Sequence, residues 1–225
     1  LEFSLKIVAI VQARMGSTRL PKKVMKPIIG LPMIELLLSR LAKSQEVNQI
    51  VLATSVDRTN QPLIEHVSGL NIACIQGSEN DVLERYVKAG IKYEADIVVR
   101  ITGDCPLVDP ELVDACIHNF HQADVDYLSN ISPPTYPDGL DVEVIRFNAL
   151  KRAMQESQKV YDHEHVTPYV RESGLFSTAV IEHEENLSAL RWTVDSLEDF
   201  EVVKNVFEYF APEAHFSWTD GLSFS

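Results

Sequence analysis

Cysteine is scarce in this 225-residue chain: there are three, Cys74, Cys105 and Cys116. They show no CxxC spacing, and three thiols cannot all pair within one chain, so neither a disulfide framework nor a zinc knuckle is expected. The apolar run IVAIV falls far short of the roughly 18 residues of a membrane span. It also lacks the cleavage-site pattern of a secretory signal, so a reducing cytoplasm is the expected compartment. The opening LEFS does not fit the strand pattern that follows it. Nine glycines include no GxGxxG, and after Gly16 the second glycine and the Gly-Lys-Ser/Thr ending of a Walker loop are missing. Both glycine cradles for phosphate are thereby excluded. No Pro/Gly/Ser-rich linker, internal repeat or low-complexity tract divides the chain, which reads as one domain, 1–225, able to bury one substantial core.

Positive charge is also in short supply. The formal net charge of -13 argues against a protein whose main work is gripping nucleic-acid phosphates. The deficit is uneven. Residues 1–26 hold Lys6, Arg14, Arg19, Lys22, Lys23 and Lys26 against Glu2 alone, a local balance of +5 that leaves -18 for the remainder. With a Debye length of about 8 Å at physiological salt, a small anion answers to nearby cations more than to the total. The loop following IVAIV could therefore hold a polyphosphate, while a solubilising Lys-rich surface loop is the plainer alternative.

KIVAIVQ (6–12), NQIVLATS (48–55), LNIACIQ (70–76) and ADIVVRIT (95–102) are short, Val/Ile-rich and almost continuously apolar, as strands covered on both faces are. Between them 33–44, 60–68 and 79–93 carry helical apolar spacing, with Ile34, Leu37, Leu38 and Leu41 on one face. This alternation predicts βαβ units around a mostly parallel sheet. A helix over 109–120 starts with Asp109 as cap and Pro110 at its first position, and a last helix, 196–210, carries capping signals at Ser196. From about 125 the alternation fails: DVDYLSN, LDVEVIRF and LFSTAVIEH read as strands, and 148–157 and 162–173 as helix or loop. In an open parallel sheet ligands bind beyond the carboxyl ends of the strands, so loops 13–27, 77–80 and 103–108 should meet over one crevice. Without a glycine cradle, phosphate would be held by side chains, Arg14 as a fork and Lys23 as a point charge.

VQARMGSTRLPKKVMKPIIGLPMI resembles the opening of the cytidylyltransferases that activate acidic sugars, the group containing 3-deoxy-manno-octulosonate and acylneuraminate cytidylyltransferases. The spore-coat polysaccharide branch of that group resembles the chain further in GSENDVLERY, RITGDCPLVDP, YPDGLDVEV, DHEHVTPYVRE and RWTVDSLED. The resemblance spans about residues 6–210. It implies a three-layer nucleotidyltransferase fold, similar to glycosyltransferase type A, with a mostly parallel central sheet. It further implies an Mg²⁺-dependent reaction of CTP with an acidic or modified sugar to give CMP-sugar and pyrophosphate for surface polysaccharide. A homodimer is implied as well, with 130–185 as the acceptor and dimer region.

Residue by residue, the resemblance makes Arg14 and Lys23 phosphate ligands and Asp104 and Asp195 the metal-binding acids. Ala13, Lys22, Gly77, Ser78, Arg85, Thr102 and Gly103 are expected around the nucleotide. Lys22 stands where the family has glycine, so a positive φ would be costlier there. The residues alone leave alternatives open. Asp104 could cap the turn CPLVDP, and Asp195 could be the N-cap of the last helix. Arg85 could donate to the base or pair on an exposed helix face with Asp81; Ser78 reads first as the cap of helix 79–93. Asp141 and Glu143 share a strand face and could both meet the acceptor, or simply face solvent. His163, His165 and Arg191 are acceptor candidates, the histidines equally candidates for a subunit contact. Cys105 is expected to pack. A metal-dependent glycosyltransferase using Asp124 and Asp126, and a nonenzymatic nucleotide-binding protein, are the competing functions.

Overall fold

A computed structural model describes residues 5–223; LEFS lies outside the described residues. The elements are β1 (Ile7–Gln12), β2 (Pro27–Ile28), β3 (Leu31–Pro32), α1 (Met33–Leu41), β4 (Gln49–Ser55), α2 (Gln61–Gly69), β5 (Ala73–Gly77), α3 (Val82–Lys92), β6 (Ile97–Thr102) and α4 (Pro110–Ala123). They continue with β7 (Tyr127–Ser129), β8 (Glu143–Arg146), α5 (Phe147–Glu156), α6 (Val160–His165), α7 (Pro168–Glu172), β9 (Thr178–Val180), α8 (Leu197–Phe210) and α9 (Trp218–Leu222). Each apolar run of the first half forms a strand, and each amphipathic stretch a helix.

The main sheet has seven strands in the order β5-β4-β1-β6-β8-β7-β9. β5, β4, β1 and β6 are parallel; β8 is antiparallel to both neighbours, and β9 runs parallel to β7. Side chains alternate across the sheet, as the strand period of two requires. Ile7, Ala9 and Val11 pack with α1, α2, α4 and α8 on one face, and Val8 and Ile10 with α3, α5 and α7 on the other. The result is the expected three-layer α/β fold. Among the described residues no helix is long and apolar enough to cross a membrane.

One helix start differs from expectation. The third helix begins at Val82 with Asp81 as its N-cap, its side chain accepting from the Glu84 N–H, so Ser78 does not cap it. Ser78 instead steadies the preceding turn, its Oγ accepting from the Asp81 N–H at 3.1 Å. The last long helix starts as expected, capped by Ser196 in a reciprocal capping box with Asp199, which leaves Asp195 outside the cap. At α3 the Asp81 side chain, three residues on from Ser78, has the shorter path to the orphan amides.

Candidate active site

The chain leaves β1 for β4 and β5 on one side, then returns to place β6 on the other, so the topological switch falls between β1 and β6. Ligands of open α/β sheets bind at that point. The two loops there touch: the Gly103 N–H donates to the Gln12 carbonyl at 2.8 Å. A Cβ on Gly103 would lie 2.7 Å from the Ala13 Cβ and 2.8 Å from the Gln12 oxygen, so only glycine permits this approach. Above the junction opens a cleft of about 700 Å³.

Loop 13–27 delivers the cations. The buried Asn60 accepts from the Met15 N–H at 2.8 Å, tying the loop to the start of α2. Lys22 takes the left-handed conformation, φ 60°, at the position where the family pattern has glycine. The turn it makes aims Lys23 inward, where its ammonium donates to the Val194 carbonyl at 2.6 Å, Asp195 Oδ1 at 3.0 Å and Asp104 Oδ2 at 3.3 Å. Arg19 pairs with Asp195 at 3.0 Å and Arg14 with Glu79 at 2.6 Å. Burial opposes ionisation of Asp195, but Lys23, Arg19 and Arg191 outweigh it and hold the carboxyl below the usual range. Glu79 is likewise lowered, first by the Ser55 hydroxyl and then by Arg14.

Asp104 stands just beyond the carboxyl end of β6, and Asp195 comes from the far end of the chain. The Val194 N–H donates to the Asp104 carbonyl at 2.8 Å, and this backbone bond brings the two acids together. Arg191 braces them from outside: it donates to Asp195 Oδ2 at 3.0 Å, to Asp199 Oδ1 at 3.0 Å, and also pairs with Asp138. It does not line the cleft. No cluster of three or more His, Cys, Asp or Glu is placed to hold a metal among the described residues. Two carboxylates sharing one cation position nevertheless fit Mg²⁺, which takes one or two protein carboxylates and completes its shell with water and substrate phosphate.

At the other end of the cleft Arg85 is 3% exposed, and its Nε has no hydrogen-bond partner. It is therefore not an exposed helix residue paired with Asp81; burial lowers its pKa. A guanidinium brought this far out of water without full pairing is costly unless a ligand supplies acceptors. Ala13 and Thr102 also line the cleft, whereas Lys22, Gly77 and Ser78 do not. The Gly77 carbonyl accepts from the Val56 N–H, and the Ser78 N–H donates to Glu84, so this corner serves the fold. Glu79 and Asn80, one step further along, reach the cleft instead, as do Gln12, Arg19 and Glu164. None of these five is singled out by the sequence motifs, although Glu79 and Asn80 carry the signal of polar residues following a strand end.

The second half contributes unevenly. Glu143, expected at the acceptor, is 1% exposed and committed elsewhere. It pairs with Arg100, its cross-strand partner, and accepts from the Tyr127 hydroxyl at 2.7 Å and the Thr167 hydroxyl at 2.8 Å. Asp141 lies off the cleft too; burial, then the charges of Asp138 and Glu143, push its carboxyl up to about 6. His163 meets Asp81 rather than the cleft, which His165 does line. Asp124 forms the left-handed C-cap of α4 and pairs with Arg146, and Asp126 accepts from the Ser177 amide at 3.0 Å. Neither enters the cleft, so the acid pair of a glycosyltransferase is not assembled there. Cys105 packs as expected, 2% exposed, its thiol pKa raised well above normal chiefly by burial.

The chain is 34% identical over 211 residues to the spore coat polysaccharide biosynthesis protein SpsF of Bacillus subtilis, covering 90% of this chain and 86% of the relative. A solved cytidylyltransferase from Leptospira borgpetersenii superposes with a TM-score of 0.93 at 31% identity, covering 98% of this chain and 93% of that one. A CMP:2-keto-3-deoxy-manno-octonic acid synthetase complexed with CTP shares the fold, with a TM-score of 0.68 at 19% identity over 91% of this chain and 99% of that one. Residues 8–208 match the cytidylyltransferase family, and with the cleft at the switch point of its sheet this chain belongs to that family.

Proposed function

We propose that the protein transfers the cytidylyl group of CTP to a hydroxyl of an acidic or modified sugar, giving CMP-sugar and pyrophosphate. The observation that carries the reading is the meeting of one ammonium, Lys23, with two carboxylates from opposite ends of the chain, Asp104 and Asp195. Each acid is met by a basic side chain that a ligand can displace. An incoming triphosphate competes for Lys23, Arg19 and Arg14 and frees the two carboxylates for a cation. Asp104 and Asp195 are the residues that would hold Mg²⁺, whose chemistry there would be charge neutralisation and polarisation of the α-phosphate.

The remaining work falls to the chain's own groups. Lys23 and Arg14 hold the β- and γ-phosphates, so that pyrophosphate leaves into a cationic site. Arg85, short of acceptors and buried, suits the O2 or N3 edge of the base. A sugar hydroxyl held in line forms its bond to the α-phosphorus and releases its proton to water as the bond to the bridging oxygen breaks, and positioning supplies most of the rate. Pyrophosphate release across a panel of the four nucleoside triphosphates and of acidic, neutral and amino sugars tests the reading. CTP should be the productive donor, with an Mg²⁺ requirement; transfer from an intact nucleotide-sugar without pyrophosphate, or nucleotide binding indifferent to Mg²⁺ with no product, would overturn it.

A further inference from the structure

His163 lies outside the cleft, yet both of its ring nitrogens are engaged. Its Nδ1 sits 2.8 Å from Asp81 Oδ2, and its Nε2 sits 3.2 Å from the Ser157 carbonyl. Both partners are pure acceptors, so both ring nitrogens must carry hydrogen for both contacts to be hydrogen bonds. Asp81 divides its oxygens, giving Oδ1 to the Glu84 amide at the start of α3 and Oδ2 to the imidazole. Its carboxylate thus stands between a cation and a helix N-terminus that would otherwise repel it. The neighbouring Asp162 is 4% exposed, and its Oδ2 is held by the Ser157 hydroxyl.

The next residues reach the cleft. Glu164 and His165 line it together with Val160, so α6 forms one wall. Directly after His165 the chain makes a γ-turn: Val166 has φ 73° and ψ -54°, and the Thr167 N–H donates to the His165 carbonyl at 2.9 Å. A β-branched residue at positive φ is strained, and such a conformation persists only where its surroundings over-determine it. Val166 is fully buried, and the Thr167 hydroxyl is anchored on Glu143, which fixes the far side of the turn. The near side is fixed by His163.

We propose that His163 is a positioning residue: as an imidazolium bridging Asp81 and the Ser157 carbonyl, it clasps α6 onto the start of α3 and thereby sets Glu164 and His165 at the cleft wall. The clasp itself stands on the geometry above, whereas its effect on catalysis rests on the proposed cytidylyltransferase activity. Burial opposes the charge on His163, but the hydrogen bonds to Asp81 and Ser157 and the charges of Asp81 and Asp162 outweigh it, raising its pKa. A group with a raised folded pKa stabilises fully below its unfolded value and loses that contribution as pH rises through the folded value. The clasp should therefore loosen on the alkaline side.

Hydrogen–deuterium exchange of the full chain tests this without any substrate. Amides of residues 160–166, corrected for intrinsic rates, should be protected at about pH 6 and exchange at least about tenfold faster at about pH 9, while those of β1 change little. His163→Gln should exchange fast at both pH values. Asp81→Ser, which keeps the cap on α3 because Ser caps as well as Asp but has no second oxygen for the imidazole, should do the same while α3 stays protected. Equal protection of 160–166 in wild type, H163Q and D81S, or loss of protection spread over the whole chain, would overturn the clasp. With an active sugar from the pyrophosphate panel, H163Q should raise the sugar KM and leave the CTP KM unchanged. No pyrophosphate from any pair would defeat the proposed reaction, whereas the clasp stands or falls on the exchange result.

Discussion

Two acid–cation centres, one within the sheet and one just beyond the carboxyl end of β6, have opposite characters. At the first, Glu143 is 1% exposed, and its oxygens are met by Arg100, Tyr127 and Thr167, all held by neighbouring elements. At the second, Asp104 and Asp195 keep 28% and 21% of their side chains exposed, and two of the basic groups they meet, Lys23 and Arg19, come from the long first loop. A buried carboxylate with both oxygens committed to fixed donors is closed to a ligand; a partly exposed one can exchange its partner. Charge type alone does not distinguish scaffold from site, whereas the replaceability of the partner does.

The sharpest way to break this contrast is to remove one charge from each centre. Asp104→Asn should lower pyrophosphate release on the order of a thousandfold, because it deletes one of two carboxylates for the cation. Its urea midpoint should stay close to wild type, since Lys23 keeps the Val194 carbonyl and Asp195 as partners and a partly solvated ion pair contributes about 1 kcal/mol or less. Glu143→Gln should do the reverse, costing about 3–5 kcal/mol by leaving Arg100 buried beside a neutral amide. Burial works against the Glu143 charge, but Arg100, Tyr127 and Thr167 more than offset it and hold the pKa below the ordinary value. A lowered acid pKa stabilises above the unfolded value and ceases to as pH falls through the folded one. The stability gap between wild type and E143Q should accordingly narrow below about pH 4. A D104N protein that unfolds early, or an E143Q protein as stable as wild type, would erase the distinction.

A smaller test concerns the loop that supplies the exchangeable cations. Lys22 is exposed and left-handed, a conformation that costs an L-residue about 1–2 kcal/mol; glycine would remove that cost and return about 0.5–1 kcal/mol of it as unfolded-chain entropy. Lys22→Gly should therefore raise stability by about 0.5–1 kcal/mol, read from the urea midpoint. A lower midpoint would mean that the Lys22 side chain contributes contacts that outweigh its backbone strain.

How far the sequence could be read follows from the range of the forces involved. In the first half, unbroken Val/Ile runs and 3.6-residue spacing are local signals, and strands β1, β4, β5 and β6 with their helices lie where those signals do. Past residue 125 strands of three or four residues carry too little pattern to reveal direction, and β8 is antiparallel to its neighbours. The cap of α3 differs from expectation because GSEND offers several oxygen side chains within one turn, and only the path of the chain selects Asp81.

The sequence by itself determined the layered sheet, the cationic loop after the first strand and the acids at strand ends, since each is a matter of residue type and short-range periodicity. Only the tertiary structure decided which acid meets which cation. Lys23 and Asp195 are 172 residues apart, Arg100 and Glu143 are 43, and His163 and Asp81 are 82. Such pairings depend on how strands register and helices pack, and they separated Glu143, sealed in the sheet, from Asp104 and Asp195, open to a ligand.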